Sequence, residues 1–535
     1  MHHVDFEHMA MGRRMELVEH LVALLGDGAV LRSREDMAGH LSDWRGRYQG
    51  RAQCVALPST TEQVSAIATA CRQARAPIVV QGGNTSLCEG AVPRADRPET
   101  VLVNLSRMRH VRSVDVANNS MVVEAGCVLA AVQQAAAAHE RLYPVSLGAE
   151  GSCQIGGNIA TNAGGTGVLR YGNTRENVLG LEVVLPDGRI WNGLYGLRKN
   201  NTGFDLKHLF IGSEGTLGII TAATLKLHPL PTARAMAWLA VDSPQAALSL
   251  LARLQRRCGA ALSAYELMND VQLNIVLQHV SGRRAPLNPT HPWHVLVELS
   301  DTGGEAVLAA ALQEVLEAAA SEGLLLDAAL AASGRQQADW WEVRHSVSEG
   351  NKKAGIGINT DPAVPLSAVP AFIAQATEAA HRVLPGAPII VVAHLGDGNV
   401  HFIPQVSFAH WQALTPGQQD RLSHAVKQAV NEVAHKLGGT FSAEHGIGQV
   451  LTEEMALFKP PVEIDLMQTI KHALDPQGGP PMTATSATHA ISGHAATQDV
   501  DERPEGGSVA ATNAFRVTQP PRTWTSDPKW AGWCR

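Results

Sequence analysis

Two histidines lie seven positions apart in the segment "AHLGDGNVHFIP", residues 393–404. His394 and His401 flank the turn-forming sequence GDGN (396–399), and apolar residues follow on both outer sides. This pattern predicts a β-hairpin with its loop at 396–399. In that register His394 is directly opposite His401, with Cβ atoms about 4.5–5.5 Å apart. The two imidazoles could bind one metal ion, or they could be a surface pair.

A carboxylate that could complete a metal site occurs in "GGTFSAEHGIG" (438–448), where Glu444 and His445 are adjacent. Neighbours on an extended segment point to opposite sides, so one could bind a metal while the other faces the reaction. Two histidines and one carboxylate are typical of zinc or iron(II) Lewis-acid sites, and they also suit manganese and cobalt. The alternative interpretation of Glu444 and His445 is a capping pair at a helix start.

The segment "WWEVRHSVSEGNKKAGIGINTDPAVP" (340–365) contains cations that suit an anionic substrate. Arg344, Ser348 and Lys352 are spaced by four residues, which predicts one shared helix face. A guanidinium binds a carboxylate through two parallel hydrogen bonds, so Arg344 is the candidate for this role. For Lys352 and Lys353 a solvated helix face is the favoured interpretation.

Three glycine-rich segments form a second set of candidates. They are "QGGNTSL" (81–87), "GAEGSCQIGGNIATNAGGTGVLRYG" (148–172) and "LFIGSEGTLGIIT" (209–221). Glycine allows the backbone to approach a flat ligand, and free amides can bind a pyrophosphate. No segment is a Rossmann fingerprint or a Walker A loop. Tightly turned loops without a ligand are the alternative interpretation.

The elements that must position these residues fall into five regions. A β-α-β unit leads into the first glycine segment, and amphipathic helices alternate with strands after about residue 232. The final region has no leucine and contains three of the ten tryptophans, which predicts disorder. The predicted regions are a helical preface (1–48), a first α/β domain (49–231), a second α+β domain built around an antiparallel sheet (232–450), a helical segment (451–476) and a tail (477–535).

Composition excludes several function classes. The 535 residues are 45% hydrophobic, and no apolar run is long enough to span a bilayer. A net charge of −7 without a basic cluster argues against nucleic acid as a partner. Seven scattered cysteines without a CxxC pair do not predict disulfides or a thiolate zinc site. The start does not resemble a signal peptide, so a cytoplasmic enzyme is expected, with peripheral association with a membrane as an alternative.

The three glycine segments, in this order, closely resemble the FAD-binding domain of the vanillyl-alcohol oxidase / p-cresol methylhydroxylase superfamily. The second half resembles the FAD-dependent D-2-hydroxy acid dehydrogenases (D-lactate, glycolate and D-2-hydroxyglutarate dehydrogenases) through "GDGNVH", "AEHGIG" and the "W…R…S…DPAVP" pattern. Together the resemblance covers about residues 50–476. It implies an α+β protein: a two-subdomain FAD-binding domain, a ferredoxin-like substrate (cap) domain and a C-terminal helical stretch.

The resemblance implies a set of residues for FAD. The tethering histidine of some family members has no counterpart in the first glycine segment, so FAD is expected to be noncovalent. The pyrophosphate residues would be Gln81, Gly82, Gly83, Asn84, Thr85 and Ser86. The residues around adenine, ribose and flavin would be Gly148, Gly151, Ser152, Ile155, Gly156, Gly157, Asn158, Asn162, Gly164, Gly165, Tyr171, Gly172, Glu214, Gly215, Gly218 and Ile219.

The resemblance also implies the chemistry of the second half. His394, His401 and Glu444 would bind a divalent metal, with zinc expected. His445 would be the catalytic base that removes the proton of the substrate α-hydroxyl, and hydride would pass to FAD N5. Arg344, Ser348 and Asn359 match substrate-binding positions. The product is a 2-oxo acid, and the electrons pass to a separate acceptor: an electron-transfer flavoprotein, a quinone or a cytochrome.

Three departures from the family pattern affect the substrate and the C-terminal region that the resemblance implies. Asn359 replaces a substrate-binding lysine of the D-2-hydroxyglutarate enzymes, and Ile403 replaces an asparagine. Both changes favour a less polar 2-hydroxy acid, unless Lys352 or Lys353 substitutes for the missing lysine. The chain also leaves the family pattern after "LDPQGG", and a frameshifted tail from 477 is our hypothesis for this.

Two other functions remain open at the level of sequence. One is an oxidase that passes electrons to O₂. The other is a noncatalytic FAD-binding subunit of a glycolate-oxidase-type complex, although such a subunit would have no use for the metal residues. The oligomeric state is also open, with a homodimer as one candidate.

Overall fold

The computed structural model describes residues 15–287 and 291–476. These residues belong to one compact unit. Within them no helix combines the length and the apolar character needed to cross a membrane. The predicted tail (477–535) lies outside the described residues.

Helices and strands alternate along the described chain. The helices are α1 (15–25), α2 (Arg34–Leu41), α3 (Thr61–Ala74), α4 (Leu129–Ala137), α5 (Ile155–Ala160), α6 (Val168–Tyr171), α7 (Lys207–Phe210), α8 (Pro244–Cys258), α9 (Asp270–His279), α10 (Glu305–Ser321), α11 (Gly334–His345), α12 (Val347–Ala354), α13 (Val369–Val383), α14 (Phe408–Ala413), α15 (Pro416–Lys436), α16 (Thr452–Phe458) and α17 (Pro461–Leu474). The strands are β1 (Val30–Leu31), β2 (Cys54–Ala56), β3 (Ile78–Gln81), β4 (Val101–Asn104), β5 (Val111–Asp115), β6 (Ser120–Glu124), β7 (Arg141–Leu142), β8 (Val178–Val184), β9 (Ile190–Gly193), β10 (Ile219–Lys226), β11 (His228–Pro229), β12 (Ala233–Val241), β13 (Leu262–Asn269), β14 (Trp293–Asp301), β15 (Asp327–Leu330), β16 (Ile356–Gly357), β17 (Ile389–His394) and β18 (Asn399–Val406).

The first sheet carries the first glycine segment. Its strand order is β1-β2-β4-β3, and β4 pairs in parallel with both β2 and β3. Helix α3 connects β2 and β3; its N-cap is Thr60, whose side chain accepts a hydrogen bond from the Gln63 amide. The strand β3 ends at Gln81, so the glycines at 82 and 83 emerge from the carboxyl end of a parallel strand, where ligands bind in such sheets.

The N-terminal segment is part of this first sheet rather than a separate helical preface. Strand β1 pairs antiparallel with β2. Leu17 and Leu21 of α1 are buried in one apolar cluster with Val64 and Ile67 of α3. In the described part of this segment, 15–48, these apolar residues and the pairing of β1 attach the segment to the first sheet.

The second sheet is antiparallel, with the order β5-β6-β10-β8-β9. A turn at Asp187-Gly188 connects β8 and β9, and Gly188 has a positive φ of 87°. Strand β10 begins at Ile219, directly after the third glycine segment. The first and third glycine segments therefore adjoin strands β3 and β10 of the two sheets.

The third sheet has seven strands in the order β15-β12-β14-β13-β17-β18-β16, and all its strand pairs are antiparallel. One face is covered by α8, α10, α13 and α15, and the other by α9, α11 and α12. The expected α+β class, with an antiparallel sheet in the second half, is confirmed. The adjacent strands β13, β17 and β18 carry Glu266, His394 and His401 of the candidate site.

Candidate active site

The hairpin of His394 and His401 exists, but the predicted register is wrong. His394 pairs with Asn399, and His401 pairs with Val392, so the loop is 395–398. Strand β18 extends to Asn399 because this residue also forms a bridge with Ala363. The register differs by two residues, which keeps both histidines on the same face. They are diagonal neighbours with ring centroids 5.4 Å apart.

Four polar side chains converge beside this hairpin. Ligand atoms of Asp361, His401, Glu444 and His445 all lie within 4.8 Å of one another. His401 Nε2 is 3.5 Å from Glu444 Oε1, and His445 Nε2 is 3.8 Å from the same oxygen. The sequence predicted that Glu444 and His445 point to opposite sides. The segment is instead turned, with positive φ at Gly446, so both side chains reach the cluster.

Asp361 organises the cluster, and sequence reasoning missed it. Its Oδ2 accepts the backbone amides of residues 443–445 at 3.0–3.2 Å and lies 3.2 Å from His445 Nδ1. Its Oδ1 accepts a hydrogen bond from the side-chain amide of Asn399 at 2.8 Å and is 3.5 Å from His401 Nδ1. A carboxylate offers about four lone-pair positions, so little capacity remains for a metal. We therefore assign Asp361 to orienting the two imidazoles.

The charge state of Asp361 follows from these contacts. Burial would raise the pKa of the carboxyl, but His445, His401 and the loop amides lower it well below its usual range. The ionised Asp361 lies beside Nδ1 of both imidazoles, and the Nε2 atom of each ring faces Glu444.

Glu266 has the same function on the other side of the site. Its Oε1 is 2.8 Å from His394 Nδ1, and its Oε2 accepts Arg344 Nε at 2.8 Å and pairs with an Nη at 2.7 Å. Burial opposes ionisation, yet His394 and Arg344 lower the pKa of Glu266 to about 2. Burial also opposes protonation of His394, yet Glu266 raises its pKa to about 9. A bound cation would have to displace that proton.

The donor set fits a divalent cation. Metal-binding histidines usually donate Nδ1–H to a carboxylate and bind through Nε2. His394 has this arrangement with Glu266 at 2.8 Å, and His401 Nδ1 faces Asp361 at the longer distance of 3.5 Å. Glu444 contributes a further carboxylate oxygen, 3.5 Å from His401 Nε2. His394 is not one of the four clustered residues, but its ring contacts that of His401, with the two centroids 5.4 Å apart.

The predicted substrate residues do not share a helix face. Ser346 separates α11 from α12, so the chain bends between Arg344 and Ser348. Arg344 is buried, whereas Ser348, Lys352 and Asn359 are exposed. Of these residues, Arg344 is the one that contacts the site, through Glu266.

The glycine segments line a cavity that is open to solvent, with an empty volume of about 430 Å³. Its lining is rich in glycine, which allows the backbone to approach a flat cofactor such as FAD closely. Seven residues expected from the sequence line it: Gly82, Gly156, Gly157, Glu214, Gly215, Gly218 and Ile219. The lining residues that the sequence did not single out are Val80, Leu105, Ala125, Ala160 and Ile220.

Close backbone packing joins the first two glycine segments. A Cβ at Gly83 would lie 2.0 Å from the carbonyl oxygen of Ser152, so no other residue fits there. Gln154 Oε1 is buried, has no hydrogen-bond partner in the described chain and lies 3.3 Å from the Cβ position of Gly82. An unpaired acceptor at this wall fits a polar ligand in the cavity.

Several expected cofactor residues act within the protein. The side chain of Gln81 is saturated by His40, Ala91 and Asn104. Glu214 lines the cavity, but its carboxylate accepts the amides of residues 447 and 448 at 2.8 Å. Four of the remaining residues form hydrogen bonds within the protein: Asn84 donates to the carbonyl of Ser42, Ser86 accepts the Gly90 amide, Asn162 accepts the Arg175 amide, and Ser152 donates to the carbonyl of Ala149. Tyr171 packs on His228, and Gly165 and Gly172 have positive φ. Ile155 and Asn158 are buried, Thr85 is half-buried, and Gly148 and Gly151 are exposed.

Gly164 connects the two halves of the site. A Cβ at Gly164 would lie 2.8 Å from Glu444 Oε2. Gly164, Gly165 and Glu444 also line a second cavity of about 390 Å³, together with Asp397 and Asn399. The segment expected at the flavin therefore contacts the polar cluster directly.

Two comparisons of sequence place this chain among known proteins. Residues 52–193 match the family model of an FAD binding domain, and residues 230–479 match that of the C-terminal domain of FAD linked oxidases. A D-2-hydroxyglutarate dehydrogenase from Xanthomonas citri is 36% identical over 441 residues, which are 82% of this chain and 90% of that protein. The mitochondrial D-2-hydroxyglutarate dehydrogenase of Arabidopsis thaliana is 34% identical over 464 residues, 86% of this chain and 80% of that protein.

Among solved structures, a p-cresol methylhydroxylase with bound substrate is similar to this chain with a TM-score of 0.68. The match covers 87% of this chain and 95% of that one at 16% identity. It confirms the fold expected for the FAD-binding superfamily.

Proposed function

The chain belongs to the FAD-dependent D-2-hydroxy acid dehydrogenase family, and from this premise we propose that it oxidises a D-2-hydroxy acid to the 2-oxo acid. In this proposal FAD is bound noncovalently and a separate protein or quinone takes the electrons. The observation that supports the proposal best is the contact between Gly164 and Glu444, because it joins the flavin-binding segment to the cluster of His401 and His445.

His445 and Arg344 have distinct roles in this reaction. His445 removes the α-hydroxyl proton through Nε2, since its Nδ1 faces Asp361. Arg344 binds the substrate carboxylate through the Nη that Glu266 does not occupy. Fixing the carboxylate and the hydroxyl together orients the Cα–H bond, which lowers the entropic part of the barrier.

Two groups would complete the site. His394, His401 and Glu444 would hold a divalent cation, which would supply Lewis-acid polarisation of the hydroxyl. FAD, when bound, supplies the hydride acceptor. The chain itself shields this chemistry, because Arg344, Glu266 and His394 are all less than 10% exposed.

A screen of D- and L-2-hydroxy acids with an artificial dye acceptor tests this function. We expect one or more D enantiomers to reduce the dye, EDTA to abolish turnover and added zinc or manganese to restore it. The variant His445→Ala should lower turnover by about 10²–10⁴-fold, the usual contribution of a general base.

The other outcomes separate the rival functions. Rapid reoxidation of the reduced flavin by O₂ would make the protein an oxidase. A chain that holds FAD yet reduces no dye with any 2-hydroxy acid would overturn the proposal and favour a noncatalytic subunit.

A further inference from the structure

Residues 443–448, which we call the base turn because they include His445, are bound by carboxylates from both halves of the chain. From the second half, Asp361 Oδ2 accepts the first three amides of the turn at 3.0–3.2 Å. From the first half, Glu214 Oε1 and Oε2 accept its last two amides, each at 2.8 Å. His445 therefore lies between two carboxylate anchors.

The residues after the first glycine segment add further contacts from the first half. The Cys88 Sγ lies 3.4 Å from the carbonyl oxygen of Gly446, and the Cys88 carbonyl oxygen accepts the amide of Gln449 at 2.8 Å. The side-chain amide of Gln449 donates to the carbonyl oxygens of Glu89 and Val92 at 2.9 and 2.6 Å. The base turn thus belongs to the second half in sequence and packs against the first half in space.

Two glycines of the base turn allow this close approach. A Cβ at Gly446 would lie 2.9 Å from Cδ of Glu214, and a Cβ at Gly448 would lie 1.9 Å from the carbonyl oxygen of Cys88. Both glycines also have positive φ, 78° and 52°. The glycines that follow His445 in the sequence are therefore required by the contact with the first half.

The backbone of Glu214 is itself fixed in an uncommon conformation. Its φ is +50°, which few residues other than glycine and asparagine adopt, and its amide donates to the carbonyl of Ala160 at 2.7 Å. Residues in such conformations cluster at functional sites. Glu214 also lines the cavity expected to hold FAD. It is therefore both a wall of this cavity and an anchor of the base turn.

The position of the base turn matters for the proposed reaction. A general base must lie within hydrogen-bond reach of the proton that it removes. A displacement of about 1 Å can lower the rate about 10²-fold. Asp361 fixes the turn relative to the second half, whereas Glu214 fixes it relative to the cavity in which the hydride acceptor is expected to bind.

We propose that Glu214 is a positioning residue for His445: it binds the base turn to the wall of the FAD cavity and so keeps the base at a fixed distance from the flavin. This inference rests on the proposed function. Glu214 acts through the backbone of the turn and not by contact with the substrate.

The variant Glu214→Gln tests this role in the FAD-loaded protein. Glutamine keeps the volume but places an N–H donor where the second amide needs an acceptor. We expect kcat per bound flavin to fall by about 10²-fold while KM is unchanged, because the lost contact acts on the chemical step and not on substrate binding. Glu214→Asp keeps both acceptor oxygens and should retain more activity than Glu214→Gln.

Glu182→Gln is the matched control. It removes another buried carboxylate of the first half, whose partners are Thr61, Arg112 and Thr221, and it should keep the wild-type kcat. An unchanged kcat in Glu214→Gln, or a raised KM at constant kcat, would overturn the proposal. A Glu214→Gln protein that no longer retains FAD would also overturn it, because Glu214 would then be a cofactor-binding residue.

Hydrogen exchange of the backbone amides tests the same contact without turnover. In the FAD-loaded Glu214→Gln protein, the amides of residues 447 and 448 should exchange about 10–100-fold faster than in wild type, the effect of losing a hydrogen bond to a charged group. The amides of residues 443–445, which Asp361 binds, should keep their rates. This result would support the anchor even if no 2-hydroxy acid is oxidised, so failure of the proposed function is distinguishable. Equal exchange at 447 and 448 in the two proteins would overturn the inference even if a substrate is turned over.

Discussion

Two buried glutamates, one in each half of the molecule, each form an ion pair with an arginine, but only one of them also contacts a residue of the candidate active site. Glu182 on β8 is 6% exposed and Glu266 on β13 is 1% exposed. Each pairs with an arginine, Glu182 with Arg112 at 3.1 Å and Glu266 with Arg344 at 2.7 Å. Both are strand residues whose carboxylates form an ion pair with a guanidinium.

Their remaining partners differ. Glu182 Oε1 accepts the hydroxyls of Thr61 and Thr221 at 2.6 and 2.9 Å, so this network ends inside the first half. Glu266 Oε1 faces His394, so its network continues into the polar cluster. A buried carboxylate–arginine pair can therefore be purely structural. Whether it also supports an active site depends on the further residue that the carboxylate contacts, which is His394 for Glu266.

The largest expected effect is the loss of stability when the more buried network is broken. Glu266→Ala would leave Arg344 and His394 without a partner in the interior, which should lower the free energy of unfolding by about 3–5 kcal/mol. Glu182→Ala should cost about 1–3 kcal/mol, because the Arg112 side chain is 31% exposed and water can replace its partner. Denaturant unfolding of the apo forms measures both values. Equal losses would contradict the distinction.

Sequence motifs revealed the parts of the site that are local in the chain. The glycine segments and the hairpin histidines were visible because their turns, strands and ligands are within a few residues of one another. Even there the register was two residues off, since a bridge from Ala363 to Asn399 extends the strand.

The supporting carboxylates could not be found in this way. Glu266 lies 128 positions from His394, and Asp361 lies 84 positions from His445. Glu266 occurs within a strand that reads as apolar, and Asp361 precedes a proline and reads as a turn residue. Only the pairing of β13 with β17 places Glu266 opposite His394.

A smaller effect is expected from isosteric changes, which separate structure from function. Glu266→Gln keeps the volume but weakens the hold on His394 Nδ1, and loss of such a partner typically costs about 10–100-fold in metal affinity or activity. Glu182→Gln should leave both unchanged. Turnover with the dye acceptor and metal retained after dialysis against EDTA are the readouts. If Glu182→Gln lowered metal retention as much as Glu266→Gln, the two networks would not be separable.

The smallest expected effect is a decrease in the free energy of unfolding at acidic pH that results from protonation of Glu182. Burial opposes ionisation of this carboxyl, but hydrogen bonds from Thr61, Arg112 and Thr221 lower its pKa below the ordinary 4.5. A lowered pKa in the folded state contributes stability above pH 4.5, and this contribution is lost as the pH falls through the folded value. Glu182→Gln removes the titration, so the gap in unfolding free energy between wild type and variant should narrow between pH 6 and pH 3.5. A gap that stays constant over this range would mean that Glu182 has the same pKa in the folded and unfolded chains.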